Sequence, residues 1–288
     1  MVNDDGIEAP GLEALARALG ELPGVRLALV APMKNRTGSG TQIDFGPLTV
    51  LEHAPVAGWP AWMVDGSPLD AVSVGIQGLF REQQPDLVVS GVNQGLNLGA
   101  LVLHSGTIGA AIRAVMLGVP ALAVSCQATR ASRVEDFGEA AHLARRLLAS
   151  WLEDGGLPMM AGERLLLSLN VPRGYNGIVR WTRQGNRYFR LAEYRRDPDG
   201  VTYHPVLDLE SLEPHAREAG AEPPDTDVGA VARGCASLTP LHTSLFAADA
   251  YARLLPGTEF PLPPTFPVEP PAEEDRISLP PDAEVREG

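Results

Sequence analysis

The fold is decided by residues 86–99, which read DLVVSGVNQGLNLG. The run opens with a short apolar segment, Leu87–Ser90, whose length and composition are those of a strand buried on both faces. It continues into a loop rich in glycine and asparagine, in which the backbone can approach a ligand closely. A buried strand followed by such a loop is typical of a parallel sheet that binds its ligand at the carboxyl ends of its strands.

The same alternation of an apolar run and a helical pattern continues on both sides of this stretch. Apolar runs predict further buried strands at residues 27–30, 61–64, 121–125 and 165–171. Amphipathic spacing and start signals predict helices over residues 10–19, 67–80, 107–117 and 135–151. We therefore predict an α/β protein with a Rossmann-like parallel sheet and helices on both faces.

The pattern changes after residue 171. Residues 178–182 and 188–195 alternate apolar and polar side chains, and a strong turn sequence at 196–200 precedes the segment 201–205. We predict a β-hairpin extension over about residues 178–210 and expect it to serve oligomerisation.

The C-terminal stretch differs in composition from the rest of the chain. Residues 256–288 are rich in proline and glutamate and poor in large apolar residues, so they are predicted to be disordered, and the folded domain is expected to span residues 1–250. From Pro267 onward the tail carries 5 of the 13 net negative charges. The body is therefore less acidic than the whole chain.

Composition excludes several classes of protein. With 288 residues, 44% of them hydrophobic, the chain can bury a full core. Its net charge of -13 argues against nucleic acid as a partner, because binding a polyanion requires a basic face. No apolar run is long enough for a membrane span, and Cys126 and Cys235 are too far apart to form a C-x-x-C pair. We expect a soluble cytoplasmic protein that handles a small phosphate ester only with the help of a cation.

The first candidate loop is Asn3-Asp4-Asp5-Gly6, which lies just before a predicted helix. Two adjacent carboxylates repel each other unless a cation or a proton lies between them. Their oxygen atoms suit Mg²⁺, Mn²⁺ or Ca²⁺. The plainer alternative is that one of the two carboxylates caps the helix.

The loop also stands unusually close to the first residue. In a doubly wound sheet a strand comes directly before the first functional loop, whereas only Met1 and Val2 precede Asn3 here. We expect either that the central strand is missing from this chain or, as the favoured explanation, that the start codon has been assigned too late.

Two further loops follow predicted strands at the same sheet edge. Residues 31–40 supply a hydroxyl group, two positive charges and several glycines, although an ordinary flexible loop has the same composition. Residues 90–99 place Asn93 and Asn97 among glycines, and Ser105 and Thr107 stand at a helix start whose free N–H groups attract anions. N-cap chemistry alone would account for Thr107 but not for the whole run.

Taken in order, these blocks resemble the signature blocks of the SurE family. The likeness covers about residues 1–245. Its early blocks are Asn3–Gly6 with Ala9–Gly11, Ser90–Asn93 with Asn97–Gly99, Ser105–Thr107 and Gly118–Ser125. Its later blocks are Asn170–Pro172, Thr182–Gly185, Thr226-Asp227 and Leu238–Leu241.

The resemblance implies a site as well as a fold. By position, the divalent metal ligands would be Asp4, Asp5, Asn93 and Thr37, with Thr37 standing where the family usually has a serine. Asp4 and Asp5 would also be the catalytic residues. By the same resemblance, the phosphate would be held by Asn97, Ser105, Gly106 and Thr107. The metal is expected to be Mg²⁺ or Mn²⁺, with Ca²⁺ as an alternative.

The family consists of metal-dependent 5'- and 3'-nucleotidases that form homodimers or homotetramers, and some members have exopolyphosphatase activity. We therefore expect hydrolysis of nucleoside 5'-monophosphates, and also of 3'-monophosphates, to nucleoside and phosphate. Two alternatives stay open: an exopolyphosphatase or general phosphomonoesterase acting on substrates such as short polyphosphate, and a nucleotide-binding module without turnover. Asp4 and Asp5 favour an enzyme, because a pure anion-binding loop gains nothing from two negative charges.

Overall fold

Helices and strands alternate along the chain in the computed structural model, which describes residues 1–128, 133–154, 165–186, 191–198, 201–207 and 222–244. The strands are β1 (Leu29–Pro32), β2 (Val50–Val56), β3 (Trp59–Val64), β4 (Val88–Gln94), β5 (Ala121–Cys126), β6 (Leu165–Val171), β7 (Val179–Trp181), β8 (Leu191–Arg196), β9 (Tyr203–Leu207) and β10 (Ala236–His242). The α-helices are α1 (Pro10–Gly20), α2 (Pro68–Ser73), α3 (Gly106–Met116), α4 (Gly138–Glu153) and α5 (Asp227–Val231).

Shorter helical turns extend three of these helices. A π-helical turn, Val74–Leu79, continues α2, and 3₁₀ turns at Gly99–His104 and Val134–Phe137 lead into α3 and α4. Ser67 starts α2 with a capping box, in which its hydroxyl accepts from the Asp70 N–H and Asp70 accepts from the Ser67 N–H. Within the described part of the chain, no helix combines the length and the apolar composition needed to cross a membrane.

The main sheet has five strands in the order β4-β5-β6-β10-β7. The first three run parallel, β10 pairs antiparallel with β6, and β7 pairs parallel with β10. A second sheet has the order β1-β3-β2, in which β1 and β3 are parallel and β2 is antiparallel. The mixed α/β architecture with a mostly parallel sheet confirms the predicted fold class.

Met1 and Val2 lie between these two sheets. The Val30 N–H donates to the Met1 carbonyl at 2.9 Å on one side, and the Gly91 N–H donates to the Val2 carbonyl at 2.8 Å on the other. Val2 also donates to the Val89 carbonyl at 3.1 Å. The loop that begins at Asn3 therefore emerges at the carboxyl ends of both β1 and β4.

Helices cover both faces of the main sheet. Along β5, Leu122 and Val124 pack into a core cluster with α1 and α4, whereas Ala121 and Ala123 pack into a second cluster with α2 and α3. Every residue of β5 is buried, as expected of a central strand that is covered on both sides. The five named α-helices and the two sheets belong to one compact unit, Met1–Ser244.

The structure places the predicted hairpin differently from the sequence expectation. The segment Val179–Trp181 is the edge strand of the main sheet, so this part of the expected extension belongs to the central architecture. β8 and β9 form a separate antiparallel pair, in which Arg196 stands opposite Tyr203. Its role in oligomerisation stays a prediction. The predicted disordered tail, residues 256–288, lies outside the described residues.

Two glycines in helical first turns provide a test of how closely α1 packs against β4. A Cβ atom at Gly11 would lie 2.1 Å from the Val92 carbonyl oxygen, whereas one at Gly138 would meet no atom within 4 Å. We expect Gly11→Ala to lower the free energy of unfolding by about 1–3 kcal/mol through overpacking. The matched control Gly138→Ala is expected to raise it by about 0.5–1 kcal/mol. Urea titration measures both, and a Gly11→Ala variant as stable as the wild type would contradict the packing described.

Candidate active site

A bulge at the end of β4 presents Asn93. The pairing with β5 shifts register between Ser90 and Asn93. Gly91, at this shift, has φ +132°, and a Cβ there would lie 2.2 Å from the Val124 carbonyl oxygen, so only glycine fits. Bulges of this kind re-aim the side chain that follows. The Asn93 amide nitrogen donates to the Gly95 carbonyl at 2.7 Å, which leaves the carboxamide oxygen as the atom suited to a cation.

Asp4 is buried against the N-terminus of α3. The Thr107 hydroxyl donates to Asp4 Oδ1 at 2.5 Å, and backbone N–H groups of Gly106 and Thr107 also stabilise the carboxylate. Gly106 makes this approach possible, because a Cβ there would lie 2.7 Å from Asp4 Cβ. Asp4 thus occupies the position that an external anion takes at other helix N-termini.

Asp5 is held by the loop that follows β1. The Asn35 side-chain amide donates to Asp5 Oδ1 at 3.2 Å, and the Thr37 hydroxyl lies 3.5 Å from the same oxygen, at the limit of a hydrogen bond. On the other side, the Gln94 N–H donates to Asp5 Oδ2 at 3.4 Å. The 31–40 loop is itself tied to the first loop, since the Arg36 N–H donates to the Asp4 carbonyl at 2.6 Å. The carboxylate of Asp5 is therefore held both by the loop that follows β1 and by the end of β4.

Burial dominates the electrostatics of the two carboxylates. It raises the pKa of Asp4, although the hydrogen bonds from Thr107 and from the α3 backbone act in the opposite direction. Burial, together with the adjacent charge of Asp4, raises the pKa of Asp5 to about 6. A divalent cation between them would reverse both shifts, because it favours the ionised forms.

The available donor set fits a hard cation. The candidate ligands offer two carboxylates, one carboxamide oxygen and one hydroxyl oxygen, which suit Mg²⁺, Mn²⁺ or Ca²⁺ rather than a thiophilic metal. Among the described residues, no group of three or more His, Cys, Asp or Glu side chains is placed to hold a metal ion. A metal at Asp4 and Asp5 therefore depends on neutral oxygen ligands to complete its coordination.

Ser39 is a site residue that the sequence reasoning missed. Its hydroxyl oxygen is buried and has no hydrogen-bond partner among the described residues. The same oxygen lies 2.8 Å from the position that a Cβ of Gly106 would take, beside Asp4. Buried polar atoms without a partner are rare because they cost free energy. The one sequence signal was a hydroxyl residue standing between Gly38 and Gly40.

The predicted phosphate ligands already make contacts of their own. The Asn97 side-chain amide donates to the Ser125 hydroxyl at 2.9 Å, and Ser105 Oγ accepts from the Ile108 N–H at 3.1 Å as the N-cap of α3. An amide NH₂ has two hydrogens and a hydroxyl has one, so Asn97 and Ser105 each keep a hydrogen to donate. Thr107 does not, because its single hydroxyl hydrogen is directed at Asp4.

Asp227 fixes the glycine-rich loop from the C-terminal part of the chain. Its buried carboxylate accepts from the N–H groups of Gly99 at 2.9 Å, Gly185 at 2.8 Å and Val228 at 2.7 Å. The Gln184 side-chain amide donates to the Gly99 carbonyl at 2.8 Å. Sequence reasoning included these residues only in family-like blocks and assigned them no role. In the structure, their hydrogen bonds hold the end of the 90–99 loop in place.

Most of the predicted site residues come together at one edge of the sheet. Asp4 and Asp5 contact Thr107 and Thr37 directly, and Asn93 is adjacent to Gln94, whose N–H reaches Asp5. Fold and site together define the class of protein: a doubly wound α/β protein with an oxygen-lined, cation-suited site at the carboxyl edge of its parallel strands.

Comparisons with known proteins identify the family. The family model described as "Survival protein SurE" matches residues 1–191. A protein named 5'-nucleotidase SurE from Deinococcus radiodurans is 40% identical over 258 residues, which cover 88% of this chain and 90% of that protein. A protein of the same name from Desulforudis audaxviator is 40% identical over 253 residues, covering 87% of this chain and 93% of that protein.

A solved structure agrees with these sequence matches. The crystal structure of SurE protein from Aquifex aeolicus superposes with a TM-score of 0.68 at 32% identity, covering 88% of this chain and 96% of that one. The chain belongs to the SurE family.

The raised pKa of Asp5 leads to a prediction about the metal-free protein. A carboxylate whose folded pKa is about 6, against an ordinary value of 3.8, opposes folding once it is ionised. In EDTA the stability of the wild type should therefore fall as the pH rises from about 4 through 6. Asp5→Asn is expected to be more stable than the wild type at pH 7, by on the order of 1–3 kcal/mol, and the difference should vanish near pH 4.

Urea titrations at the two pH values measure this difference. The exposed residue Asp86 offers a matched control, and Asp86→Asn is expected to change the free energy of unfolding by less than about 0.5 kcal/mol at either pH. An Asp5→Asn variant that is equally or less stable than the wild type at pH 7 would show that the burial of this carboxylate is not costly.

Proposed function

We propose that the protein is a metal-dependent 5'-nucleotidase that hydrolyses nucleoside 5'-monophosphates, and also 3'-monophosphates, to nucleoside and phosphate. The observation that carries the proposal is the pair of adjacent carboxylates: Asp4 is buried against the N-terminus of α3, and Asp5 is held by the 31–40 loop beside it. The curated relatives named 5'-nucleotidase SurE support the substrate class.

Asp4, Asp5, Asn93 and Thr37 are the residues that would hold the metal. Mg²⁺ or Mn²⁺ fits this set best and Ca²⁺ is the alternative, since all four ligands are oxygen atoms. When bound, the cation supplies Lewis-acid stabilisation of the charge that develops on the phosphoryl oxygens. Thr37 keeps the hydroxyl that the family usually takes from serine, and its backbone N–H donates to the Asn35 side chain at 2.9 Å, which fixes its position.

The protein's own groups orient the reacting partners. Thr107 fixes one oxygen of Asp4, so the second oxygen keeps a defined direction. Asn97 and Ser105 each have a hydrogen left to donate, and we assign these donors to the phosphate oxygens. Gly106 lets Asp4, rather than the phosphate, approach the start of α3, so the phosphate is assigned to the donors of Asn97 and Ser105 beside it. Phosphoryl transfer depends mainly on such positioning and electrostatics, so little further catalytic apparatus is needed.

Two rival activities use the same site. An exopolyphosphatase or general phosphomonoesterase would need the same cation and the same phosphate donors, and only the leaving group differs. A binding module without turnover is disfavoured, because a buried pair of carboxylates destabilises an anion site unless a cation is bound there. A panel of nucleoside 5'- and 3'-monophosphates, p-nitrophenyl phosphate and short polyphosphate distinguishes these activities.

We also propose that the protein works as a homodimer or homotetramer. Trp181, Tyr194 and Tyr203 each leave more than half of their surface accessible, and aromatic side chains are enriched in protein interfaces. Tyr194 and Tyr203 lie in the β8–β9 pair, where the Arg196 guanidinium lies 5.7 Å from the Tyr203 ring centre. Such aromatic and arginine surfaces are common in protein interfaces.

The proposed role of Asp4 can be tested by phosphate release. Asp4→Asn keeps the shape of the side chain but removes a charge from the cation site, so turnover with Mn²⁺ or Mg²⁺ is expected to fall by at least roughly 10²–10³. Wild-type release should stop in EDTA and return when Mn²⁺ is added. The exposed control Asp86→Asn should keep the wild-type rate. An Asp4→Asn variant with normal turnover would refute the proposed metal site.

A second pair of variants isolates the contact between Thr107 and Asp4. Thr107→Val is nearly isosteric but cannot donate to Asp4, so its activity at low Mn²⁺ should fall about tenfold and recover in part at high Mn²⁺. Thr107→Ser keeps the hydroxyl and should remain close to the wild type. If the two variants lost activity equally, at every Mn²⁺ concentration, Thr107 would not be acting through the metal ligand.

A further inference from the structure

A cavity of about 180 Å³ opens at the carboxyl ends of β5 and β6, beside the start of α4. Its walls combine small apolar groups with polar and charged side chains. The residues that line it include Cys126, Gln127, Asp136, Glu139, Val171 and Arg173. None of them is a predicted metal or phosphate ligand.

The cavity lies next to the candidate active site along the sheet edge. Val2, which leads into Asp4 and Asp5, neighbours β4, and β4 neighbours β5. Two strand spacings, about 10 Å, therefore separate the strand position of Val2 from β5. The Gln94 N–H reaches Asp5, and Gln94 pairs with Cys126 in the register of β4 and β5. Burial raises the pKa of the Cys126 thiol to about 12, and the charges of Asp136, Asp5 and Glu139 act in the same direction.

The charge of the cavity decides which part of a nucleotide fits. Asp136 and Glu139 are acceptors when ionised, and they repel phosphate. Ribose hydroxyls and the exocyclic amino groups of bases are donors without net charge, which a carboxylate binds well. Arg173, which also lines the cavity, has the planar guanidinium that stacks on aromatic rings. The cavity thus favours an uncharged, donor-rich and partly flat group.

The volume of the cavity also favours one part of a nucleotide over a whole ligand. Pockets that enclose a whole small ligand measure roughly 300–1,000 Å³, so a cavity of about 180 Å³ takes only part of one. In a nucleoside monophosphate the phosphate and the nucleoside are joined by a single ester linkage. One molecule can therefore place its phosphate at Asp4 and Asp5 and direct its nucleoside along the edge towards β5 and β6.

We infer that this cavity is the nucleoside subsite, in which Asp136 and Glu139 accept hydrogen bonds from the ribose hydroxyls and Arg173 packs on the base. The inference rests on the proposed nucleotidase function, because the cavity would bind the nucleoside, which is the leaving group of that reaction. It also gives the site a preference for nucleotides over polyphosphate, since the subsite repels a second phosphate.

Glu139 is the best position for a test, because it is exposed in the first turn of α4 and Glu139→Gln changes only the charge. We expect this variant to raise the KM for nucleoside 5'-monophosphates roughly tenfold with little change in kcat. Hydrolysis of p-nitrophenyl phosphate, which has no ribose, should be unchanged. Glu135→Gln, an exposed neighbour that does not line the cavity, should behave as the wild type with both substrates.

Free adenosine gives a readout that does not need turnover. Adenosine binding, followed by chemical-shift changes in the full-length protein, should weaken about tenfold in Glu139→Gln and in Arg173→Ala. Unchanged adenosine affinity in both variants, or an equal loss of activity on both phosphate esters, would overturn the subsite. If the wild type released no phosphate from any ester yet bound adenosine in the manner described, the nucleotidase proposal would fail and the subsite would stand.

Discussion

The site depends on one contact, between the Asp4 carboxylate and the N-terminus of α3. A buried carboxylate is costly, and burial does raise the pKa of Asp4, but the Thr107 hydroxyl and the first N–H groups of the helix offset part of that cost. Burial, together with the adjacent charge of Asp4, raises the pKa of Asp5 to about 6, although Asn35, Thr37 and Gln94 donate to its carboxylate. A cation at the pair would favour the ionised form of both carboxylates.

The surrounding structure also holds the glycine-rich 90–99 loop beside that contact. The bulge at Gly91 sets the direction of Asn93, and the buried side chain of Asn170 accepts from the Asn97 N–H at 2.8 Å, which ties the glycine-rich loop to β6. Asp227 holds the far end of the same loop through the Gly99 N–H. Two separate segments of the chain, at Asn170 and Asp227, thus fix one loop, as expected where catalysis depends on positioning.

Much of this arrangement could be predicted from the sequence. Apolar runs and helix-start signals predicted the α/β fold, because buried strands and capped helices have strong local patterns. The adjacent carboxylates before a helix predicted a cation site, which stays a prediction. The direction of β10 could not be predicted, since a short strand such as Ala236–His242 does not indicate whether its neighbour is parallel or antiparallel. The place of Val179–Trp181 in the main sheet was missed for a related reason: alternation identifies a strand but not its partner.

Contacts within the site were harder to predict from the sequence than the strand order was. The start of α3 was predicted to bind phosphate, and the structure shows its hydroxyl and N–H groups engaged by Asp4. A carboxylate and a phosphate present the same kind of oxygen to a helix N-terminus, so the motif alone cannot distinguish them. Ser39 escaped notice because its importance lies in a buried oxygen near Asp4, which depends on tertiary packing.

The central claim is that Asp4 and Asp5 form one cation site, and direct metal binding tests it most closely. Isothermal titration of the metal-free protein with Mn²⁺ should show a single site per chain in the wild type. The same titration should show no site of comparable affinity in Asp4→Asn. Equal Mn²⁺ affinity in the two proteins would place the metal elsewhere and contradict this account.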